Sequence, residues 1–262
     1  MNFRSFKIVF SFFLFAGWKT RRTKIFFLIS LLPVILALAI KINQLFSRRI
    51  LIEGISVFSN IIMLFYLQFL ILILALFYGT SVCSEEVEGK TLTYLATRPV
   101  SKSSLILGKY AAYTLFLILM VACGTTCSFL ILNIERILDG SLWVILWRDV
   151  AVLSLGLMGY TAFFTFIGTF LKKSVLFGLF YCFGWENVIQ YFPGSTQRFA
   201  IAHYLKSLLP VIETSTGRFS FLLFRLEPSP PGLAVATLCV ITGVFLGLAC
   251  LVFSQKEYIF ED

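Results

Sequence analysis

The sequence predicts an all-α integral membrane protein with six transmembrane helices, and three observations predict it. Of its 262 residues, 59% are hydrophobic and 13% charged, with a mean hydropathy of +0.92; a soluble domain carries about a quarter of its residues as charged ones. The apolar residues gather into runs that meet or approach the roughly 20 needed to cross a hydrocarbon core of about 30 Å. Polar or Pro/Gly-containing segments divide these runs. Helices suit such runs because every backbone group must be paired internally where there is no water.

The chain begins with MNFRSFKIVFSFFLFAGWKTRRTK, residues 1–24. A basic front and an apolar middle resemble a signal peptide. Trp18 and the cluster Lys19, Arg21, Arg22 and Lys24 stand where a small-residue cleavage site would be. An uncleaved amphipathic helix lying in the membrane interface is expected instead. The six spans follow at about 25–42, 57–82, 110–134, 150–171, 174–193 and 232–253. Arg148 and Asp149 begin the fourth and mark the outer interface. Pro193-Gly194 stops the fifth. The segment 194–231 then holds two apolar pieces, Phe199–Ile212 and Phe219–Leu226, each too short to cross; they are expected to lie flat on the outer leaflet or dip into it. With no internal repeat or soluble insertion, residues 1–262 read as one membrane domain.

With the N-terminus inside, cytoplasmic segments hold 13 of the 22 Lys and Arg, which favours both termini in the cytoplasm. The net charge of +9 is dispersed in short clusters beside apolar spans, so it serves headgroups and topology. No basic patch interleaved with stacking aromatics points to nucleic acid. Five of the six cysteines lie inside apolar runs and Cys83 ends one, as small packing residues do. Cys123 and Cys127 share a helix face, but no His or carboxylate follows at metal-ligand spacing.

The segment 84–109, SEEVEGKTLTYLATRPVSKSSLILGK, is the polar stretch between the second and third spans. Its Gly89-Lys90-Thr91 is not a phosphate-binding loop. That loop needs GxxxxGK[ST] between a strand and a helix, and here Ser84 occupies the first glycine position after a membrane span. A helical reading accounts for the residues better. Val87, Thr91, Tyr94 and Leu95 fall on one face with Leu92 and Ala96 beside them, while Glu86, Glu88, Lys90 and Thr97 point elsewhere. Pro99 ends this helix, and Ser101 or Ser103 is placed to cap the next. A solvated, headgroup-binding connector is the plainer reading, although a connector needs far fewer residues.

This segment resembles the cytoplasmic signature of permease subunits of the type-2 exporter class of ATP-binding-cassette (ABC) transporters. The matching positions are Glu86, Glu88, Thr91, Leu92, Leu95, Pro99, Lys102, Leu107, Gly108 and Lys109; Lys90 departs from a common glycine. The rest of the chain is similar in outline: an N-terminal interfacial helix, six spans, and short gate helices before the last. The resemblance implies a coupling helix between spans two and three that docks on a separate ATPase subunit. Glu86, Glu88, Thr91, Leu92, Tyr94, Leu95, Pro99, Lys102 and Lys109 would serve that coupling. It also implies two ATPase copies, a second permease copy or homologue, a place in the plasma membrane, and no cofactor on this chain, ATP being bound by the partner.

Glu186 and Asn187 lie in the fifth span, where a carboxylate is costly unless it is partnered or faces water. Either Glu186 serves the pathway or gate, or it pairs with Arg198 or Arg148 and fixes the break in the helix. His203, the single histidine, is placed with them in the gate region; a lone His without further ligands or a nucleophile is usually structural. The expected function is thus that of a permease, with no catalysis of its own. Two other classes remain: a membrane-embedded enzyme or assembly factor acting on lipid through His203 and Glu186, and an ion-coupled secondary transporter. The first lacks a convergent catalytic set, and the second lacks repeated halves or deeper ionisable groups.

Overall fold

The computed structural model describes residues 3–47, 54–88, 102–136, 139–171, 173–189, 195–209 and 229–255, in which the regular structure is entirely helical. Helix α1 spans Phe3–Lys19. Thr20, in an extended conformation, breaks it from α2, Arg21–Ser30, and caps α2 through its hydroxyl, which accepts the N–H of Thr23. A single-residue turn at Leu31 separates α2 from α3, Leu32–Ser47. Pro33 accounts for that turn, since it has no N–H and its ring clashes with the carbonyl four residues earlier. Next come α4, Gly54–Ile61, a π-helical stretch, Ile62–Leu70, and α5, Ile71–Glu88. Helices α6, Lys102–Leu132, and α7, Gly140–Phe170, are the longest at 31 residues each. A compound helix follows, made of α8, Ser174–Phe180, a π turn, Tyr181–Trp185, and α9, Glu186–Val188. Beyond a 3-10 turn, Ser195–Phe199, lie α10, Ile201–Leu208, and α11, Pro231–Gln255.

Five helical stretches among the described residues are long and apolar enough to cross a membrane: Arg21–Gln44, Gly54–Ser84, Lys102–Leu132, Gly140–Phe170 and Pro231–Gln255. They cover five of the six expected spans. Helices α6 and α7 begin eight and ten residues before the expected starts at 110 and 150. Their apolar runs mark only the part that hydrocarbon requires, whereas 31 residues rise about 46 Å. Ser103 therefore lies inside α6 and does not cap it; Ser101 is outside the described residues. Arg148 and Asp149 sit in the third turn of α7, not at its start. Over the remaining expected span, the compound helix from Ser174 to Val188 rises about 22 Å at 1.5 Å per residue, less than a hydrocarbon core of about 30 Å. Residues 190–193 of that expectation lie outside the described ones.

In lipid, apolar surface gains nothing by leaving its solvent, so helices are held by close van der Waals fit, which small residues permit. The α5–α7 contact works this way. A Cβ on Gly79 would come within 2.7 Å of the Phe164 Cβ and 2.9 Å of the Thr161 carbonyl oxygen, and one on Gly168 within 2.7 Å of the Thr80 carbonyl oxygen. Aromatic edges fill the adjoining layers: Tyr78 against Tyr113 at 5.4 Å, Phe58 against Phe129 at 5.3 Å, and Phe163 against Phe245 on α11 at 5.0 Å.

These pairings define two ends of the bundle. At one lie the last turn of α5, the first turn of α6, the end of α7 and the end of α11, where Lys102 Nζ donates to the Ser254 carbonyl at 3.5 Å. At the other, Lys41 and Glu135 form an ion pair at 2.8 Å, and hydrogen bonding to Lys41 holds the Glu135 carboxyl below its ordinary range. The expected interfacial helix, α1, runs beside the first turns of α6. Its contacts advance in step, from Val9 on Gly108 through Phe13 on Tyr113 to Trp18 on Phe116. Ile8, Phe12 and Phe15 stay exposed on another face.

Candidate functional site

The polar side chains that break the apolar pattern come together in two places. The first is built where the compound helix changes hydrogen-bond register. In the π turn Tyr181–Trp185 the N–H of Glu186 reaches back five residues to the Tyr181 carbonyl. One extra residue per turn turns the following side chains to a new face, and such π turns recur at functional positions. Here Trp185 is exposed while Glu186 is fully buried. Asn187 completes the turn, with its Nδ2 donating to the Cys182 carbonyl at 2.8 Å. Its Oδ1 accepts from Gln68 Nε2, also at 2.8 Å. Gln68 belongs to the other π-helical stretch, Ile62–Leu70, so this amide pair joins the two irregular segments.

Glu186 in turn gathers two further elements. Its Oε1 accepts the phenolic hydroxyl of Tyr160, at the centre of α7, and the backbone N–H of Ala202 in the first turn of α10, the latter at 2.7 Å. Tyr181 also hydrogen-bonds to the carboxyl. The N–H groups of a first helical turn have no partners within the helix, so a carboxylate there satisfies one of them and meets the positive end of the helix dipole. Helix α10 is seated by shape as well. Leu205 fills the space over Gly156, where a Cβ would meet Leu205 Cδ1 at 2.9 Å, and Ile201 lies over Gly159 at 3.9 Å. Gly156 is about 24 Å along α7 from Gly140 at 1.5 Å per residue. Helix α10 thus packs beside the middle of α7 and not over its end.

On α10, His203 is buried, with Nε2 3.1 Å from the Ser229 hydroxyl and its ring edge-on to Tyr204 at 5.3 Å. These contacts tie α10 to the segment leading into α11. Lys206 lies one turn on. Burial pushes its ammonium down to about 8, while the charge of Glu186 acts in the opposite direction.

Of the two pairings expected for Glu186, neither is the one found. Its partners are Tyr160, Tyr181 and Ala202, whereas Arg148 pairs with its neighbour Asp149 at 3.3 Å. Glu186, on α9, reaches α10 through Ala202, the neighbour of His203, and Asn187 follows Glu186 directly after the π turn. Sequence reasoning missed Tyr160, Tyr181, Lys206 and Gln68. Gln68 carried a signal, being a side-chain amide within an apolar run; the two tyrosines carried none among many aromatics.

The second place is the start of α6. Lys109 is 1% exposed, with Nζ 4.9 Å from the Phe13 ring centre and 5.6 Å from that of Tyr113. Cation–π contact in a dry setting suits a buried ammonium. Lys109 therefore joins α1 to α6 and is not presented outward, while Lys102 is exposed and joins α6 to α11. Close by, Arg22 donates to the Phe77 carbonyl and stacks over Tyr78 at 4.8 Å, and Thr23 meets the Tyr78 hydroxyl at 2.9 Å. The backbone at Glu86 and Glu88 forms the last turn of α5. Thr91, Leu92, Tyr94, Leu95 and Pro99 lie outside the described residues. Among the described residues no group of three or more His, Cys, Asp and Glu could hold a metal ion.

Residues 17–184 match the family model described as "ABC-2 family transporter protein". The matched range contains the whole of the 84–109 segment and ends just before Glu186. No curated protein matches the sequence.

Proposed function

The chain belongs to the ABC-2 family of transporter proteins, and from that premise we propose that it is the permease subunit of an ATP-driven exporter, powered by a separate ATPase that docks on the 84–109 segment. The observation that carries this reading is the position of that segment. It joins two membrane-spanning helices directly, α5 at Glu88 and α6 at Lys102, within the range that matches the family.

A force applied there has defined paths into the bundle. The first turns of α6 hold α1 through Lys109 and Gly108, and α11 through Lys102. Helix α5 is locked to α7 by Gly79 and Gly168. Because close-packed helices shift as units rather than deform, movement of the segment reaches α7. There Tyr160 and Glu186 hold α10, which serves as the outer gate. In this reading Glu86, Glu88, Thr91, Leu92, Tyr94, Leu95 and Pro99 meet the ATPase, Lys102 and Lys109 pass on its movement, and Glu186, Asn187 and His203 set the gate. The compound helix of α8 and α9 belongs to the fifth of six spans. Two permease copies and two ATPase copies form the complex in the plasma membrane, with the 84–109 segment and both termini in the cytoplasm.

The test is isolation of the chain from membranes in which it is naturally made. The reading expects a soluble partner with GxxxxGK[ST] that hydrolyses ATP in the complex. Isolation with no such partner under conditions that preserve membrane complexes would count against it.

A further inference from the structure

A groove of about 380 Å³ opens on the outside of the bundle, lined by Leu171, Lys173, Leu176, Phe177 and Phe180. Its lining divides by chemistry along its length. Lys173 stands at the head of α8, exposed, and makes no ion pair among the described residues. Leu176, Phe177 and Phe180 descend from it on the exposed side of α8, while Gly178, on the opposite side, packs against Leu76 and Phe164.

The packing also gives the groove its depth. Gly168 abuts Thr80 near the end of α7, and Gly178 abuts Leu76, one turn further into the bundle. Passing from Lys173 to Phe180 therefore runs inward from the end that carries Lys102, over about 10 Å at 1.5 Å per residue. A cation at the rim and a bare apolar wall below it match one kind of molecule immersed in the same layer: a lipid with a negatively charged headgroup.

We propose that this groove is a binding site for an anionic phospholipid, with the phosphate region at Lys173 and one acyl chain along Leu176, Phe177 and Phe180. The rim charge selects among headgroups, because a lysine near an anionic headgroup is attracted and a zwitterionic one offers little net charge. The apolar wall contributes to holding any lipid, charged or not, since its side chains must be covered by hydrocarbon in either case.

The site is tested on the full chain in detergent by native mass spectrometry, titrating phosphatidylglycerol and phosphatidylcholine separately. Wild-type protein is expected to retain phosphatidylglycerol roughly fivefold more tightly, the attraction expected of a single lysine. Lys173→Ala brings phosphatidylglycerol to the phosphatidylcholine level and leaves phosphatidylcholine unchanged. Lys173→Arg keeps the preference, and so does Lys24→Ala, which removes an exposed cation elsewhere. Phe177→Ala/Phe180→Ala weakens both lipids together. Equal retention of the two lipids by wild type, or a preference that survives Lys173→Ala, overturns the proposal. So does a dimer whose two copies cross-link through residue 177, since a second copy would then cover the groove.

Discussion

The carboxylate of Glu186 accepts the backbone N–H of Ala202 at 2.7 Å, joining the buried end of one helical segment to the first turn of another. The same oxygen accepts the hydroxyl of Tyr160. One side chain thus fixes α10 against α7. Glu186→Leu removes the acceptor of two buried donors and is expected to lower stability by about 2 to 4 kcal/mol, while Glu186→Gln, which still accepts, costs about 1 to 2 kcal/mol. Thermal unfolding reads the first effect. Trypsin cleavage after Arg198 and Lys206 reads the release of α10, and it should rise in the order wild type, Gln, Leu. Unchanged melting and cleavage in Glu186→Leu would remove the latch from the account.

The glycine contact between α5 and α7 leaves no room for a methyl group. Gly79→Ala and Gly168→Ala are each expected to cost about 1 to 3 kcal/mol, because the Cβ would meet backbone or a core Cβ that has nowhere to move. Gly232→Ala is the control. Nothing lies within 4 Å of a Cβ there, so it should be neutral or slightly stabilising. Equal melting temperatures for all three variants would show that the two helices are not in this close register.

Lys206 makes stability depend on pH. Its ammonium is pushed down to about 8 from an ordinary 10.5 by burial. Between those values the unfolded chain holds a proton that the folded chain has released, so stability rises with pH across this window and is lost as pH falls through about 8. Lys206→Met removes the effect. The stability of wild type relative to Lys206→Met should therefore increase from pH 7.5 to pH 10. Parallel pH profiles for the two proteins would contradict it.

The proposed orientation is read by cysteine labelling in a cysteine-free background. Thr214→Cys should react with an impermeant maleimide in intact cells, and Ser101→Cys only after the membrane is opened. Reversal of the two results would invert the topology and place the 84–109 segment where no cytoplasmic ATPase could reach it.

Most of the helical framework was legible in the sequence because hydrocarbon imposes a simple rule. A run of apolar residues long enough to cross the core must be helical, and five of the expected spans coincide with such helices. The rule fixes what lies in lipid and says nothing of how far a helix continues into water. That is why α6 begins at Lys102 and α7 at Gly140, ahead of their apolar runs. The site was legible in part for a related reason. Glu186 stands out because a carboxylate among apolar residues needs a partner, but which partner it finds depends on helix rotation. The π turn at Tyr181–Trp185 sets that rotation, and no local residue pattern announces it. Lys109 shows the converse. The resemblance assigns it to ATPase coupling, yet packing covers it with Phe13 of α1, which sequence order does not bring near it, beside Tyr113 one turn along its own helix.

The central claim, that a separate ATPase drives this chain through the 84–109 segment, is tested most directly by one paired measurement on the purified complex. Leu95→Asp and Lys90→Ala are compared with wild type for ATPase co-purification and for ATP hydrolysis per permease. An apolar anchor commonly contributes about 1 to 3 kcal/mol to such an interface, while a rim charge mainly adjusts rate and salt dependence. The account predicts that Leu95→Asp loses the ATPase and its hydrolysis while the membrane helices stay folded, and that Lys90→Ala retains both. Retention of the ATPase by Leu95→Asp, together with loss of nucleotide binding to this chain alone in Lys90→Ala, would contradict it.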